Sequence, residues 1–594
     1  MSNLQLGFKK PKFVIQSKSY ENTRRIIEQI NKGDLVFAEN LARKILKKEP
    51  KNAEMLRYLG IIYQKKEELD KSILYLKEAL KYDPEHVETL SNLGNAYQQL
   101  NKISAALKYI NQALLIDPSF GPALFNKAVC YFKVGEFAES IYTAHLGLLE
   151  CPNDLLGIQL VFSAAYHLRE WYEAEIYLIK ALDIIPNDLY MINQLSSVLH
   201  LQGKLDQAIE VVNKVIKVDP QHKSALANRA LYLKSKGLFK DAIKDLEFLL
   251  ELNPDNEVAE MSLSELILLY GDYLKGWKLY ESRKKIKDWN FVFSSVFFPE
   301  YTGAESLEGK KILVTAEQGY GDNIQFSRYI PLLAEKGAEV YFGIQDDVQT
   351  ILSTVGGITK FVKTLKEIPN HCVDYQITLL SLPLAFKTTL DNIPTKVRYL
   401  SADTILVKEW GHKLSVFSKP KIGIVWCGAA GNQVVNPDYL YPTVGKSIHL
   451  KEFETLSDID ADFISLQKGE ESLKLLRNLL EENWSGPEIH NFDKEITDFD
   501  QTAAIIENLD LVITVCTSVA HLSGALGKPT WILLKKDACW RWLLDRDDSP
   551  WYPTVKLFRQ PEAGDWAGAL NNLKKDLQVF VRDCKITKER KNNE

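Results

Sequence analysis

Proline recurs at Pro50, Pro84, Pro118, Pro152, Pro186, Pro220 and Pro254, seven in succession at intervals of 34 residues. A strict period of that length constrains the fold more than any other feature, because each period is one supersecondary unit that buries its apolar face only by stacking on its neighbours. Proline is excluded from a helix interior, where it removes a hydrogen bond and clashes with the preceding turn. Each proline therefore ends a helix and separates one unit from the next. With proline counted as position 32, position 20 is small in every unit: Ala38, Ser72, Ala106, Ser140, Ala174, Ala208 and Ala242. Position 8 carries Gly60, Gly94, Ala128, Ser196 and Ala230. Two antiparallel helices need small residues at those places, where they cross closely. Tyr63, Tyr97 and Tyr131, at position 11, supply a large ring to fill the space between one helix pair and the next.

The period and these positions match the tetratricopeptide repeat. The expected N-terminal half is an α-solenoid over 19–290, with seven 34-residue repeats, a degenerate capping pair at about 257–290, and an extension at 1–18. Such an array curves, and its concave face is lined by the first helix of each pair. Position 6 there carries Asn92, Asn126, Gln194 and Asn228, with Leu160 interrupting. A carboxamide offers both donors and acceptors, so a row of them can hold a peptide backbone whatever its side chains. The row resembles the asparagine ladder in the repeats of the eukaryotic O-linked N-acetylglucosamine transferase. The alternative is polar residues on an exposed helix face.

After about residue 300 the pattern changes to β-branched runs alternating with helical stretches, the mark of an α/β domain with a parallel sheet. Strands are expected at 311–316, 339–344, 373–379, 421–428, 462–467, 509–516 and 529–534. A charged stretch with Ser-Lys-Pro at about 405–420 divides them into two Rossmann-like subdomains, 300–405 on the acceptor side and 421–580 on the nucleotide-sugar side. Two such sheets facing a cleft form the GT-B arrangement.

Composition narrows the function classes. The formal net charge is -5 over 594 residues, which supplies no overall basic excess for nucleic acid. No run approaches the roughly 18 apolar residues of a membrane span. The seven cysteines are scattered, odd in number and without metal-ligand spacing, which reads as a reducing, cytoplasmic setting.

Two turns carry the candidate chemistry. The first strand runs into Ala316-Glu317-Gln318-Gly319-Tyr320-Gly321-Asp322-Asn323-Ile324-Gln325, where the glycines permit a sharp turn and a helix opens. Ligands of open parallel sheets bind at such turns. The segment resembles the EQGLGD motif of bacterial repeat-fused transferases related to the heptosyltransferases, glycosyltransferase family nine. That resemblance implies Asp322 as the general base; Glu317 is the second choice, and Gly319, Gly321 and Gln325 are assigned to donor binding. Asp322 reads equally as a residue that caps the helix.

The later turn follows a buried strand, with Thr517 and Ser518 opening a helix that carries His521. Its positive end and free amides suit a diphosphate. The segment resembles the nucleotide-binding part of the same family, where an aspartate stands at the place of Cys516. His521 reads as a phosphate or ribose contact, or as a core histidine. Gln467 and Lys468 end another strand, and Lys468 is a natural counter-charge for a diphosphate, or a plain surface lysine. Trp540, Trp542 and Trp551 flank Arg541, Asp545 and Asp547; rings there suit a sugar or base, or packing, the expected role for at least two of the three. Segment 431–445 is expected to be a mobile loop over the cleft, and 581–594 a disordered tail.

The resemblance implies sugar transfer from a nucleotide-activated donor with inversion. The expected acceptor is a protein or peptide held in the repeat groove by Asn92, Asn126 and Asn228. The nucleotide-sugar is a co-substrate, with no resident cofactor and no metal; assembly into homo-oligomers stays open. Two rivals stand beside this reading: transfer to lipopolysaccharide or another glycan with the repeats used for assembly, and a protein-binding scaffold whose α/β half has lost activity.

Overall fold

The computed structural model describes residues 18–287, 298–317, 319–368, 372–428, 447–481 and 484–593. The N-terminal extension up to residue 17 and the expected loop 431–445 lie outside the described residues. The chain divides into two compact units, Met1–Pro220 and Gln221–Glu594.

The first unit is built of helix pairs, from Lys18–Lys32 with Leu35–Leu46 to Leu189–Leu201 with Leu205–Val218. Two residues after four of the first unit's repeat prolines stands a cap whose side chain accepts a backbone N–H three residues on, Asn52 from Met55, His86 from Thr89, Asp154 from Gly157 and Asp188 from Met191, while Phe120, after Pro118, makes no such bond. Proline thus stops one helix, and an acceptor two residues later starts the next by satisfying a donor of its first turn. The small residues at position 8 mark real close approaches. A Cβ on Gly60 would stand 2.5 Å from Leu76 Cγ, and one on Gly94 would stand 2.5 Å from Ile110 Cγ1. The position-11 rings stack on the second helix of their own repeat, Tyr63 on Tyr75 and Tyr97 on Tyr109, with centroids 5.4 and 5.6 Å apart.

The second unit begins with two further pairs, Lys223–Lys236 with Phe239–Leu252 and Glu257–Leu269 with Tyr273–Tyr280. Four parallel strands follow: β1 Lys311–Thr315, β2 Glu339–Gly343, β3 Ile358–Val362 and β4 Tyr375–Thr378, in the order β3-β2-β1-β4. A second parallel sheet holds β5 Lys421–Val425, β6 Asp462–Ser465, β7 Ile489–Asn491, β8 Leu511–Val515, β9 Thr530–Leu534 and β10 Val555–Arg559, in the order β10-β9-β8-β5-β6-β7. Counted from its own first strand, the second sheet runs 3-2-1-4-5-6, the doubly wound order, and the first sheet shows its leading part, 3-2-1-4.

Two expectations change. The repeat region expected as one body over 19–290 is divided at Pro220, and the last two helix pairs belong to the same compact unit as the sheets. The reason is an aromatic cluster in which Trp277 packs edge-on against Trp540, 5.1 Å between centroids. Trp551 Nε1 donates to Tyr273 Oη at 3.0 Å, and Trp277 Nε1 donates to the Thr388 carbonyl at 3.0 Å. The tail expected without order is instead the end of a helix, Trp566–Asn593. Ala569, Leu570, Leu573, Leu577 and Val581, spaced three and four apart, bury one stripe of that helix in the core of the second sheet.

Candidate functional site

In a doubly wound sheet, ligands bind beyond the carboxyl ends of the strands where the strand order reverses. Here those points lie between β1 and β4 and between β5 and β8. The helix Tyr320–Phe326 rises from the first and the helix Ser518–Ala525 from the second. The two helices touch. A Cβ on Gly321 would stand 2.9 Å from His521 Cδ2 and 3.5 Å from Ser518 Cα. Gly321 has no positive φ, so close approach, and not the turn expected from sequence, requires glycine there.

Asp322 sits at this contact, its side chain 19% exposed, paired with Arg541. Burial raises its pKa above the ordinary aspartate value, Arg541 opposes that rise, and the Gly319 backbone N–H adds a hydrogen bond that also lowers it. An acid in the first turn reaching back to the N-cap amide is the return half of a capping box. The cap reading and the base reading therefore describe the same carboxylate. Arg541 fixes it: the guanidinium Nε donates to Gln325 Oε1 at 2.6 Å, Nη1 lies 3.1 Å from Cys539 Sγ, and the group stacks 4.2 Å from the Trp540 ring centroid. Gln325 is fully buried, and its Nε2 has no hydrogen-bond partner. Two residues after Arg541, Leu543 takes φ 50° and ψ −168°. A leucine in that region costs about 1–3 kcal/mol and persists only where its surroundings enforce it.

The other expected residues are engaged elsewhere. Glu317 is fully buried and binds Arg283 through both oxygens, at 2.8 and 3.0 Å, while accepting the Leu380 N–H at 3.2 Å. Its carboxylate ties β1 to the end of the last repeat helix. His521 Nδ1 lies 2.9 Å from Tyr552 Oη, and its ring stacks on Trp542. Burial, then Arg541 and Arg328, push its pKa well below the ordinary histidine value, so the ring is neutral and built into the core. Gln467 is a clamp between strand ends, accepting from Trp426 N at 3.2 Å and Cys427 N at 3.0 Å and donating to the Cys427 and Lys468 carbonyls. Lys468 Nζ caps the carbonyls of Asp493 and Ile496. Thr517 is the extended N-cap residue of its helix, Oγ1 3.1 Å from Thr514 Oγ1, and Ser518 follows it half-buried. Cys516 accepts a hydrogen bond from Trp542 Nε1 at 3.2 Å. Trp540, Trp542 and Trp551 are all buried, so packing is the role of all three.

Asp322, Gln325, Gly321, His521, Ser518 and Thr517 gather where the two helices meet, with Arg541 as the member that sequence reading left among the tryptophans. The signal available for it was an arginine between two tryptophans, Trp540-Arg541-Trp542. In the first unit, Asn126 accepts from Asn95 Nδ2 at 2.7 Å and donates to Ser91 Oγ at 3.1 Å, so this rung joins adjacent repeats. Asn92 is half-buried on the same helix as Asn95. Asn228 belongs to the second unit and is buried there. Among the described residues no group of His, Cys, Asp and Glu could hold a metal ion, and no helix is long and apolar enough to cross a membrane.

The sequence pattern of the tetratricopeptide repeat matches residues 59–86, 87–120 and 189–222. The protein FlbA of Caulobacter vibrioides is 24% identical over 466 residues, spanning 74% of this chain and 75% of that one. Sperm-associated antigen 1 of Mus musculus is 29% identical over 102 residues, 17% of this chain and 11% of that protein. The DnaJ protein P58IPK homolog A of rice is 30% identical over 112 residues, 18% of this chain and 24% of that one. Among solved structures, YrrB, described as a TPR protein with an unusual peptide-binding site, has 22% identity and a TM-score of 0.30, covering 31% of this chain and 95% of that one. The type IV pilus biogenesis factor PilW has 21% identity and a TM-score of 0.33, covering 35% of this chain and 96% of that one.

Proposed function

We propose that the α/β half is a GT-B glycosyltransferase that moves a sugar from a nucleotide-activated donor to an acceptor hydroxyl with inversion, and that the repeats select a protein acceptor. The observation that carries this reading is the meeting of the two switch points through Gly321 and His521, which brings a half-buried, arginine-held carboxylate, Asp322, beside the Thr517–Ser518 helix end. Transfer to a hydroxyl needs a group that takes the acceptor proton as the bond forms. Asp322 is that group in this reading: burial raises its basicity and Arg541 keeps it ionised and aimed. The helix end at Thr517 offers its dipole to the departing diphosphate, without a metal ion. Inversion then needs one base and no covalent intermediate.

A second reading, a protein-binding scaffold, is favoured by one specific observation. Glu317, Gln467, Lys468 and His521 are each engaged by other protein groups, and Cys516 is bound to Trp542. A fragment beginning at Gln221 separates the two, since the division of the chain at Pro220 keeps the last helix pairs with the sheets. With EDTA present, residues 221–594 are expected to hydrolyse the nucleotide-sugar at the rate of the whole chain and to lose transfer to the protein acceptor. Equal loss of both activities contradicts the division of labour, and rescue by added divalent metal contradicts metal-free transfer.

A further inference from the structure

The two site helices meet at one end and are joined again at the other. At their amino-terminal ends Gly321 lies against His521 and Ser518. At the carboxyl-terminal end of the helix Tyr320–Phe326, the Gln325 carbonyl accepts from Arg328 Nε at 2.8 Å and the Ile324 carbonyl accepts from Tyr399 Oη at 2.9 Å. At the carboxyl-terminal end of the helix Ser518–Ala525, the Ala525 carbonyl accepts the backbone N–H groups of Tyr399 and Leu400, at 3.0 and 3.3 Å. The last carbonyls of a helix lack partners within it, so the groups that bond them fix where that end lies. Here one residue, Tyr399, bonds both helices, and Arg328 Nη2 donates to its hydroxyl at 3.1 Å.

Arg328 carries the join further into the half that holds the second sheet. Its Nη1 donates to the Trp551 carbonyl at 2.7 Å and to the Pro394 carbonyl at 3.3 Å. The guanidinium lies 4.7 Å from the ring centroids of both Tyr399 and Tyr552, and Tyr552 is the residue whose hydroxyl meets His521. Arg328 and Tyr399 are 4% and 8% exposed. These bonds of Arg328 go to neutral oxygens, and the negative end of the helix Tyr320–Phe326 supplies the opposing charge. Resting on the transferase reading above, we propose that Arg328 and Tyr399 are positioning residues that hold Asp322 at a fixed distance from the Thr517 helix end, so that base and diphosphate site are in place before substrate arrives. Two bodies touching at one point can turn about it, whereas two bodies joined at both ends cannot. The segment 394–400 between the sheets therefore acts as a tie and not as a hinge for domain closure.

Hydrogen–deuterium exchange of the whole chain without ligand, read by mass spectrometry, tests the join. Arg328→Lys keeps the charge and loses the fork. In that variant exchange is expected to rise about tenfold or more in both 320–326 and 518–525, and to stay at the wild-type rate in the central strands β1, β5 and β8. Tyr399→Phe removes the hydroxyl alone; it is expected to give the same pattern to a smaller degree, and it carries the test if the lysine variant does not fold. A rise confined to 320–326, a uniform rise across the second unit, or none in either variant overturns the proposal. Turnover separates positioning from stability. With the donor whose nucleotide raises the melting temperature, both variants are expected to lower kcat, Arg328→Lys by about tenfold, with KM for the donor little changed. An unchanged kcat in both overturns the positioning role. A chain that binds no nucleotide contradicts the transferase reading, while the exchange pattern, measured without ligand, decides the join by itself.

Discussion

Replacing Arg283 with alanine is expected to cost the second unit about 3–5 kcal/mol, the range for breaking a buried ion pair from one side. Both partners, Arg283 and Glu317, have fully buried side chains. The guanidinium also donates to Thr378 Oγ1 at 3.0 Å, Ser381 Oγ at 2.8 Å and Glu281 at 2.8 Å. Alanine leaves the Glu317 charge in the interior without its arginine, which is why the loss exceeds that of an exposed pair. Burial opposes the charge of Arg283, yet Glu317 and Glu281 hold its pKa above the ordinary arginine value. Glu281 moves the other way: burial resists its charge, but Arg283 and Lys284 hold its pKa below the ordinary carboxylate value. A depressed carboxylate stabilises above its unfolded pKa and loses that contribution as pH falls through the folded one. The difference between wild type and variant therefore shrinks in acid. Urea unfolding followed by tryptophan fluorescence measures it, because of 11 tryptophans only Trp171 precedes Pro220. A loss below about 1 kcal/mol at neutral pH, the range of surface pairs, contradicts this account of Glu317.

The second large effect is on turnover. Asp322→Asn removes the proton acceptor while keeping the shape and the hydrogen bond to Arg541, and is expected to lower turnover by about 10²–10⁴-fold with donor affinity little changed. Because burial raises the pKa of Asp322 against the pull of Arg541, the acid limb of the pH profile is expected above the ordinary aspartate range. Turnover rises with pH through that limb, since the base works ionised. Arg541→Lys keeps a charge but loses the fork that binds Asp322 and Gln325 together, so the limb moves upward. An asparagine variant that retains turnover removes Asp322 from the chemistry, and an unmoved limb in Arg541→Lys removes Arg541 from its positioning.

The strands that sequence reading found are those whose apolar runs are long enough to stand out: β1, β2, β5, β6, β8 and β9, with β4 at one edge. The three it missed, β3, β7 and β10, are edge strands. β3 reads Ile-Thr-Lys-Phe-Val with its middle exposed, and β7 is three residues long. An edge strand is solvated on one side and is kept short or polar, so alternation is all it offers. The repeats were legible because their period repeats the same physical demand at the proline and small positions. The site was legible only in part. Asp322 and the Thr517 turn follow from strand-to-helix chemistry that is local in sequence. The roles of Glu317 and His521 depend on Arg283 and Tyr552, which lie 34 and 31 residues away and join them only through the tertiary fold. Lys468 looked like a free counter-charge because the carbonyls it caps, Asp493 and Ile496, carry no signal in the sequence at all. Arg541 was hidden for the opposite reason: the tryptophans beside it suggested packing, which they do supply.

Whether the α/β half binds a nucleotide-activated sugar is tested most directly by thermal unfolding of the whole chain with UDP, GDP, ADP, CMP and their sugar conjugates. A ligand held only by the native state stabilises it by about 2.7 kcal/mol at a hundred times its dissociation constant. The account predicts a rise in melting temperature with one nucleotide series, abolished in Thr517→Ala and kept in Asp322→Asn. No rise with any of them contradicts it and leaves the α/β half a scaffold.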